Sequence, residues 1–94
     1  MARLYKVTDK GCRTGIEVQP QNGEVFTLEE AQAMVGGYIE VVHLEGDDIL
    51  VCDEEGRLKD KERNELATFR AVRLGYKGNE YLVGDVFFCK DNEI

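Results

Sequence analysis

The chain is expected to fold as a small α+β domain: a mostly antiparallel sheet of about five strands, with two short helices packed on one face. Three observations predict this. Short runs rich in β-branched and aromatic residues recur between turn-forming clusters, and two other stretches carry helix start signals. With 94 residues, 43% apolar and 33% charged, there is material for one core and no room for a second, so residues 1–94 are read as a single domain.

The elements follow in order. Leu4–Thr8 and Ile16–Gln19 are short, partly alternating segments separated by D-K-G-C-R-T-G, and read as a first hairpin. The only proline, Pro20, sits in the turn-rich Q-P-Q-N-G. In T-L-E-E-A-Q-A-M-V-G-G, Thr27 is placed to cap a helix while Glu30 reaches back to the cap amide, and Glu29 and Glu30 suit the positive helix end. Leu28, Ala31 and Val35 repeat on one face, and Gly36 offers the left-handed conformation that closes a helix at little steric cost. Tyr38–Leu44 and Ile49–Asp53, joined by E-G-D-D, read as a second hairpin. The run D-E-E-G-R-L is a turn, with Gly56 where positive φ is often needed and Leu58 re-entering the core. From Asn64, N-E-L-A-T-F-R-A-V-R-L reads as an asparagine-capped helix with Leu66, Phe69 or Arg70, and Arg73 along adjacent turns. Tyr81–Cys89 is the last strand, interrupted at Gly84-Asp85.

Composition excludes several functions. The longest apolar runs, Ile49–Cys52 and Val86–Cys89, fall far short of a membrane span, and the start M-A-R-L-Y-K lacks the apolar core of a signal peptide. A cytoplasmic protein is expected. Cys12, Cys52 and Cys89 are odd in number, widely separated and without C-x-x-C spacing, which argues against a disulfide scaffold or a zinc site. A net charge of −7 repels the phosphate backbone, so direct nucleic-acid binding is not expected, whereas a basic partner or mimicry of nucleic acid toward one fits that sign. Residues 45–65 hold nine acids and four bases and so supply five of those seven charges, either as a nucleic-acid-like face or as a solvated, salt-bridged one.

No catalytic residue is assigned. The only histidine, His43, lies inside a strand pattern, and none of the cysteines carries a nucleophile signature. Asp47, Asp48, Asp53, Glu54 and Glu55 do not follow the spacing of a calcium loop, and neither V-G-G-Y nor G-Y-K-G forms a phosphate-binding or dinucleotide motif. No cofactor or metal is expected. A non-enzymatic binding protein is the favoured class, with a metal-dependent enzyme using Asp and Glu as the rival.

In order along the chain, V-G-G-Y-I-E-V-V, D-E-E-G-R-L-K, N-E-L-A-T and L-V-G-D-V-F-F form a pattern that resembles an uncharacterised family of small phage and bacterial proteins, domain of unknown function 3846, over about residues 28–89. The resemblance implies a protein carried by phages, prophages or other mobile elements, with no enzyme activity to transfer. Its signature positions fall on Gly36, Gly37, Tyr38, Glu40, Asp53, Gly56, Asn64, Ala67, Thr68, Gly84 and Asp85. The charged K-D-K-E-R-N departs from the more apolar approach to the asparagine that the pattern leads one to expect.

Two readings of these positions stand side by side. Gly36, Gly37, Tyr38, Glu40, Asn64, Thr68 and Asp85 line one shallow pocket for a small polar or nucleotide-like ligand, or Asn64 and Thr68 brace the helix while Asp85 pairs locally. On the first, Tyr38, Asn64 and Thr68 face one concave surface beside Gly37. The expected partner is a host protein or a small molecule, and a chain this small also gains burial by pairing as a homodimer.

Overall fold

The computed structural model describes residues 2–8 and 15–94. The turn D-K-G-C-R-T-G of the first hairpin, with Cys12, lies outside the described residues except for its last glycine. Five strands, β1 (Ala2–Tyr5), β2 (Ile16–Val18), β3 (Ile39–His43), β4 (Asp48–Asp53) and β5 (Val86–Lys90), form one sheet in the order β2-β1-β5-β4-β3. Every pairing is antiparallel. Helix α1 (Leu28–Val35) joins one edge strand, β2, to the other, β3, and α2 (Glu65–Arg73) precedes β5, which enters last and separates the two hairpins. A short 3-10 turn, Asp91–Glu93, follows β5.

The α+β class and the five-stranded antiparallel sheet are as expected. The placement of the helices is not: they cover opposite faces. On one face Leu4, Ile49, Val51, Phe87 and Cys89 pack with Phe26, Ala31 and Val35 of the α1 segment. On the other, Tyr5, Leu50, Cys52, Val86 and Phe88 pack with Ala67 and Ala71 of α2. The physical reason is that β4 and β5 are central strands buried on both sides, so each alternating set of side chains needs a cover of its own. Each face has an aromatic contact at its centre, Phe26 with Phe87 at 5.5 Å between ring centroids and Tyr5 edge-on to Phe88 at 5.4 Å.

Helix α1 begins as its sequence dictates. Thr27 Oγ1 accepts from the Glu30 amide at 3.2 Å, and Glu30 accepts in return from the Thr27 amide at 3.0 Å. The second Glu30 oxygen accepts from the Gln21 amide, which ties the preceding turn to the helix. The backbone hydrogen bond from Thr27, then that from Gln21, lowers the pKa of this exposed carboxyl. Gly36 ends the helix with φ of 79°.

Several local expectations need correcting. The first strand is Ala2–Tyr5, not Leu4–Thr8, and the last begins at Val86, not Tyr81, because Gly84 with φ of 73° breaks the extended chain ahead of it. Leu28 is exposed; Phe26, ahead of the cap, fills the core instead. The inward face of α2 is made of the small residues Ala67, Thr68 and Ala71, which bring the helix close to the sheet and turn Phe69 outward. Leu58 does not re-enter the core but is 85% exposed. Gly56 has no positive φ, a conformation taken nearby by Asp60; a side chain on Gly56 would press on Val83.

Thr27→Ala should therefore lower stability by about 1 kcal/mol, read as a lower urea midpoint with an unchanged slope. Leu28→Ala, one residue on but exposed, should stay within about 0.5 kcal/mol of the parent in the same titration.

Candidate functional site

The candidate residues divide into three places. The first is the C-terminal end of α1. Here Asp53, the last residue of β4, has a fully buried side chain, and its Oδ2 takes ion pairs from Lys61 at 2.6 Å and Lys59 at 2.9 Å. Its Oδ1 accepts from the Glu55 amide at 2.9 Å. The two lysines continue to the helix end, which has no basic residue in its own last turn: Lys61 donates to the Val35 carbonyl at 2.9 Å and Lys59 to that of Gly36 at 3.4 Å. A positive charge at free C-terminal carbonyls complements the helix dipole.

The glycine pair thus has two separate reasons. Gly36 supplies the left-handed turn, and Gly37 leaves room for the acid, because a Cβ there would stand 2.8 Å from both Asp53 carboxyl oxygens. Burial by itself would raise the Asp53 pKa, but hydrogen bonds from Lys61, Lys59 and the Glu55 amide outweigh it and hold the pKa at about 2.

The second place joins α2 to the rest. Asn64 caps the helix by accepting from the Ala67 amide at 3.1 Å, while its Nδ2 donates to the carbonyls of Tyr5 at 2.7 Å and Gly84 at 2.8 Å. Thr68 Oγ1 donates to the Asn64 carbonyl at 2.8 Å and accepts from the Leu82 amide at 2.9 Å. Both side chains are buried with their polar atoms partnered. Asp85, half-buried, accepts from the Val7 amide at 3.0 Å. It borders a shallow hollow of about 260 Å³ that also touches Gly36, so these two candidates are neighbours.

The third place is β3. Tyr38 is 67% exposed and its carbonyl accepts from the Glu54 amide. Glu40, also exposed, stands opposite Cys52 on the α2 side of the sheet, at the edge of a cleft of about 400 Å³. Val42, Cys52 and Leu82 line that cleft with apolar surface; Glu54, Arg57 and Glu80 are its other charged groups besides Asp53, whose buried carboxylate is taken up by Lys59 and Lys61. Arg57 pairs with Glu80 at 3.1 Å.

The expected single pocket is therefore not formed. Asn64 and Thr68 spend their hydrogen-bonding capacity on the backbone of three chain segments, while Tyr38 lies at the surface on β3. Sequence reasoning missed Lys59, Lys61 and Arg57, all set in a mixed-charge run that reads as a solvated loop. It also missed Tyr76, another residue of the cleft, within a glycine-rich turn.

Among the described residues, the two cysteines are poorly set up as nucleophiles. Burial, then the charges of Glu40 and Asp53, push the Cys52 thiol up to about 11, and burial first of all pushes Cys89 up to about 12. His43, opposite Ile49, is on the other side of the sheet from Cys52. Among the described residues, no three His, Cys, Asp or Glu side chains gather as a metal site requires, and no helix is long and apolar enough to cross a membrane.

Together these features define a small α+β domain with a helix on each face of an antiparallel sheet and an acidic cleft beside one edge strand. The chain belongs to the family described as domain of unknown function DUF3846, whose model matches residues 3–94, a wider span than the motifs alone cover. No curated protein and no solved structure gives a match to the chain.

Two outcomes test this account. Because the folded pKa of Asp53 lies below its ordinary 3.8, its contribution is complete above that value and is lost as the pH falls toward about 2. That contribution is about 2 kcal/mol at most, reduced by solvent screening of the partly exposed lysines. Denaturant titrations of Asp53→Asn should show a deficit against the parent at neutral pH that shrinks across this acid window. Asn64→Ala should cost about 3 kcal/mol, since it removes a helix cap and leaves two buried carbonyls without their donor. An Asn64→Ala midpoint equal to the parent's would contradict a bracing role.

Proposed function

We propose that the protein is a non-enzymatic accessory protein of a phage or other mobile element, working in the cytoplasm by binding a host protein. The group it takes is cationic and partly apolar, and the cleft beside β3 receives it. One observation carries this reading: the cleft sets Glu40, Glu54 and Glu80 against a single arginine, itself paired, beside an apolar surface of Val42, Cys52 and Leu82. A lysine or arginine side chain of the partner matches that arrangement, with its stem along the apolar surface and its head among the carboxylates. The volume of about 400 Å³ is within the range of small binding sites. The net charge of −7 adds long-range attraction for a basic partner and speeds the encounter.

Of the seven candidate positions, Tyr38 and Glu40 are exposed side chains with no bracing role, and both belong to this side of the molecule. A nucleotide-like ligand would place phosphate against the same carboxylates. That alternative draws on another hollow, of about 540 Å³, where Lys6 and Arg63 accompany exposed Phe69, although Glu62 and Glu65 offset the two cations there. Nucleic-acid mimicry by residues 45–65 has less to build on, since Asp53 is buried under two lysines and Asp48 pairs with Lys90.

Titration of the isotope-labelled full chain with oligolysine, and separately with a mononucleotide, tests the reading by amide shifts. Oligolysine should move Glu40, Cys52, Glu54 and Leu82, and Glu40→Lys should weaken its binding about tenfold, or roughly 1.4 kcal/mol. Shifts produced by the nucleotide around Lys6 and Phe69, with none from oligolysine, would replace the cleft by the other hollow.

A further inference from the structure

The sheet ends at β3, and its outer side is an open row of backbone groups. The Glu54 amide donates to the Tyr38 carbonyl at 2.8 Å, and the Leu44 amide donates to that of Asp48 at 2.9 Å, at the two ends of the β3–β4 ladder. Antiparallel pairs alternate, so the even-numbered residues of β3 turn their backbone groups toward β4, and Ile39, Val41 and His43 turn theirs outward. Among the described residues nothing pairs with that outer row. The opposite edge, β2, is only three residues long, whereas β3 is five residues of I-E-V-V-H with no proline or lysine to blunt it.

We propose that β3 pairs antiparallel with β3 of a second copy of the chain, joining two sheets into one across a two-fold axis at Val41. Only this register lets all three outward residues of each copy pair, with Val41 against the partner's Val41 and Ile39 against the partner's His43. The side chains agree with it. On the α2 side, Glu40 stands opposite the partner's Val42, and Tyr38 opposite the partner's Leu44. A shift of two residues leaves outward groups unpaired, and in one direction sets Glu40 against the partner's Glu40, which like-charge repulsion disfavours. The pairing also accounts for Tyr38, whose ring is 67% exposed in the single chain and gains the half-buried Leu44 of the partner subunit as cover. Backbone pairing drives this association against the mutual repulsion of two chains of net charge −7, so added salt strengthens it. The seam borders the cleft through Glu40 and Val42, but the pairing rests on the outward backbone row, so an oligolysine that fails to bind leaves it untouched.

Sedimentation equilibrium of the full chain over a range of concentrations tests the proposal. The expected result is a monomer–dimer equilibrium that tightens from low to physiological salt, with exchange of the Ile39, Val41 and His43 amides slowing as concentration rises. His43→Pro removes an outward donor that no strand of the same chain uses, a place where an edge strand tolerates proline. It should raise the dimer Kd about tenfold, because two of the three backbone pairs lose a bond. Circular dichroism and the thermal midpoint report whether that variant folds. If it does not, Tyr38→Ala decides, since its ring is outside the core, and it should raise Kd by roughly threefold. A chain that stays monomeric at every concentration overturns the proposal, as does a dimer that neither variant weakens or one that loosens as salt is added.

Discussion

The buried carboxylate of Asp53 is the contact on which the layout of this domain turns. It sits at the end of β4, and the Lys59 and Lys61 that it holds belong to the loop leading to α2. Those lysines in turn reach the last carbonyls of α1, so one acid links a central strand, the loop and the helix on one face of the sheet. A buried charge is tolerable only when it is paired and hydrogen-bonded, and here the loop that follows β4 meets both requirements through the Glu55 amide, Lys59 and Lys61. Gly37 is the counterpart of this arrangement, because the acid occupies the space its side chain would need.

A second set of polar contacts does the same for the other face. Asn64 holds the start of α2 against the end of β1 and the approach to β5, and Thr68 fastens the Leu82 amide one turn later. Small residues on the inner side of α2 let the helix lie close enough for these bonds to form. The two helices are therefore positioned by backbone-directed hydrogen bonds at their ends, and by apolar packing along their length. Since such groups are satisfied internally, they offer little to a ligand.

Much of the local structure was legible in the residues themselves. The capping pattern of Thr27 and Glu30, the stop at Gly36 and the cap at Asn64 depend on contacts within a few positions, so sequence spacing determines them. The same holds for the β3–β4 hairpin. Even the two-sided burial had a signal: Ile49–Cys52 and Val86–Cys89 are unbroken apolar runs, not alternating ones, and unbroken runs mark strands covered on both faces. Read that way, they would have called for a helix on each side.

What only the tertiary structure decided is which polar residues meet. Asp53 and Lys61 are eight positions apart in a run of mixed charge, and Asn64 joins carbonyls of Tyr5 and Gly84 from opposite ends of the chain. No periodicity encodes such meetings, because they depend on the order of strands in the sheet, with β5 inserted between β1 and β4. By itself the sequence determined both helix starts, the end of α1 and the β3–β4 hairpin, since those choices are settled by neighbours along the chain, whereas the bounds of β1 and β5 were set by pairing between distant segments. The cross-links from Asn64 and Thr68 to other segments, and the exposure of Tyr38 and Glu40, were settled by long-range packing, which brought the carbonyls of Tyr5 and Gly84 and the Leu82 amide to the first two and left the others facing solvent.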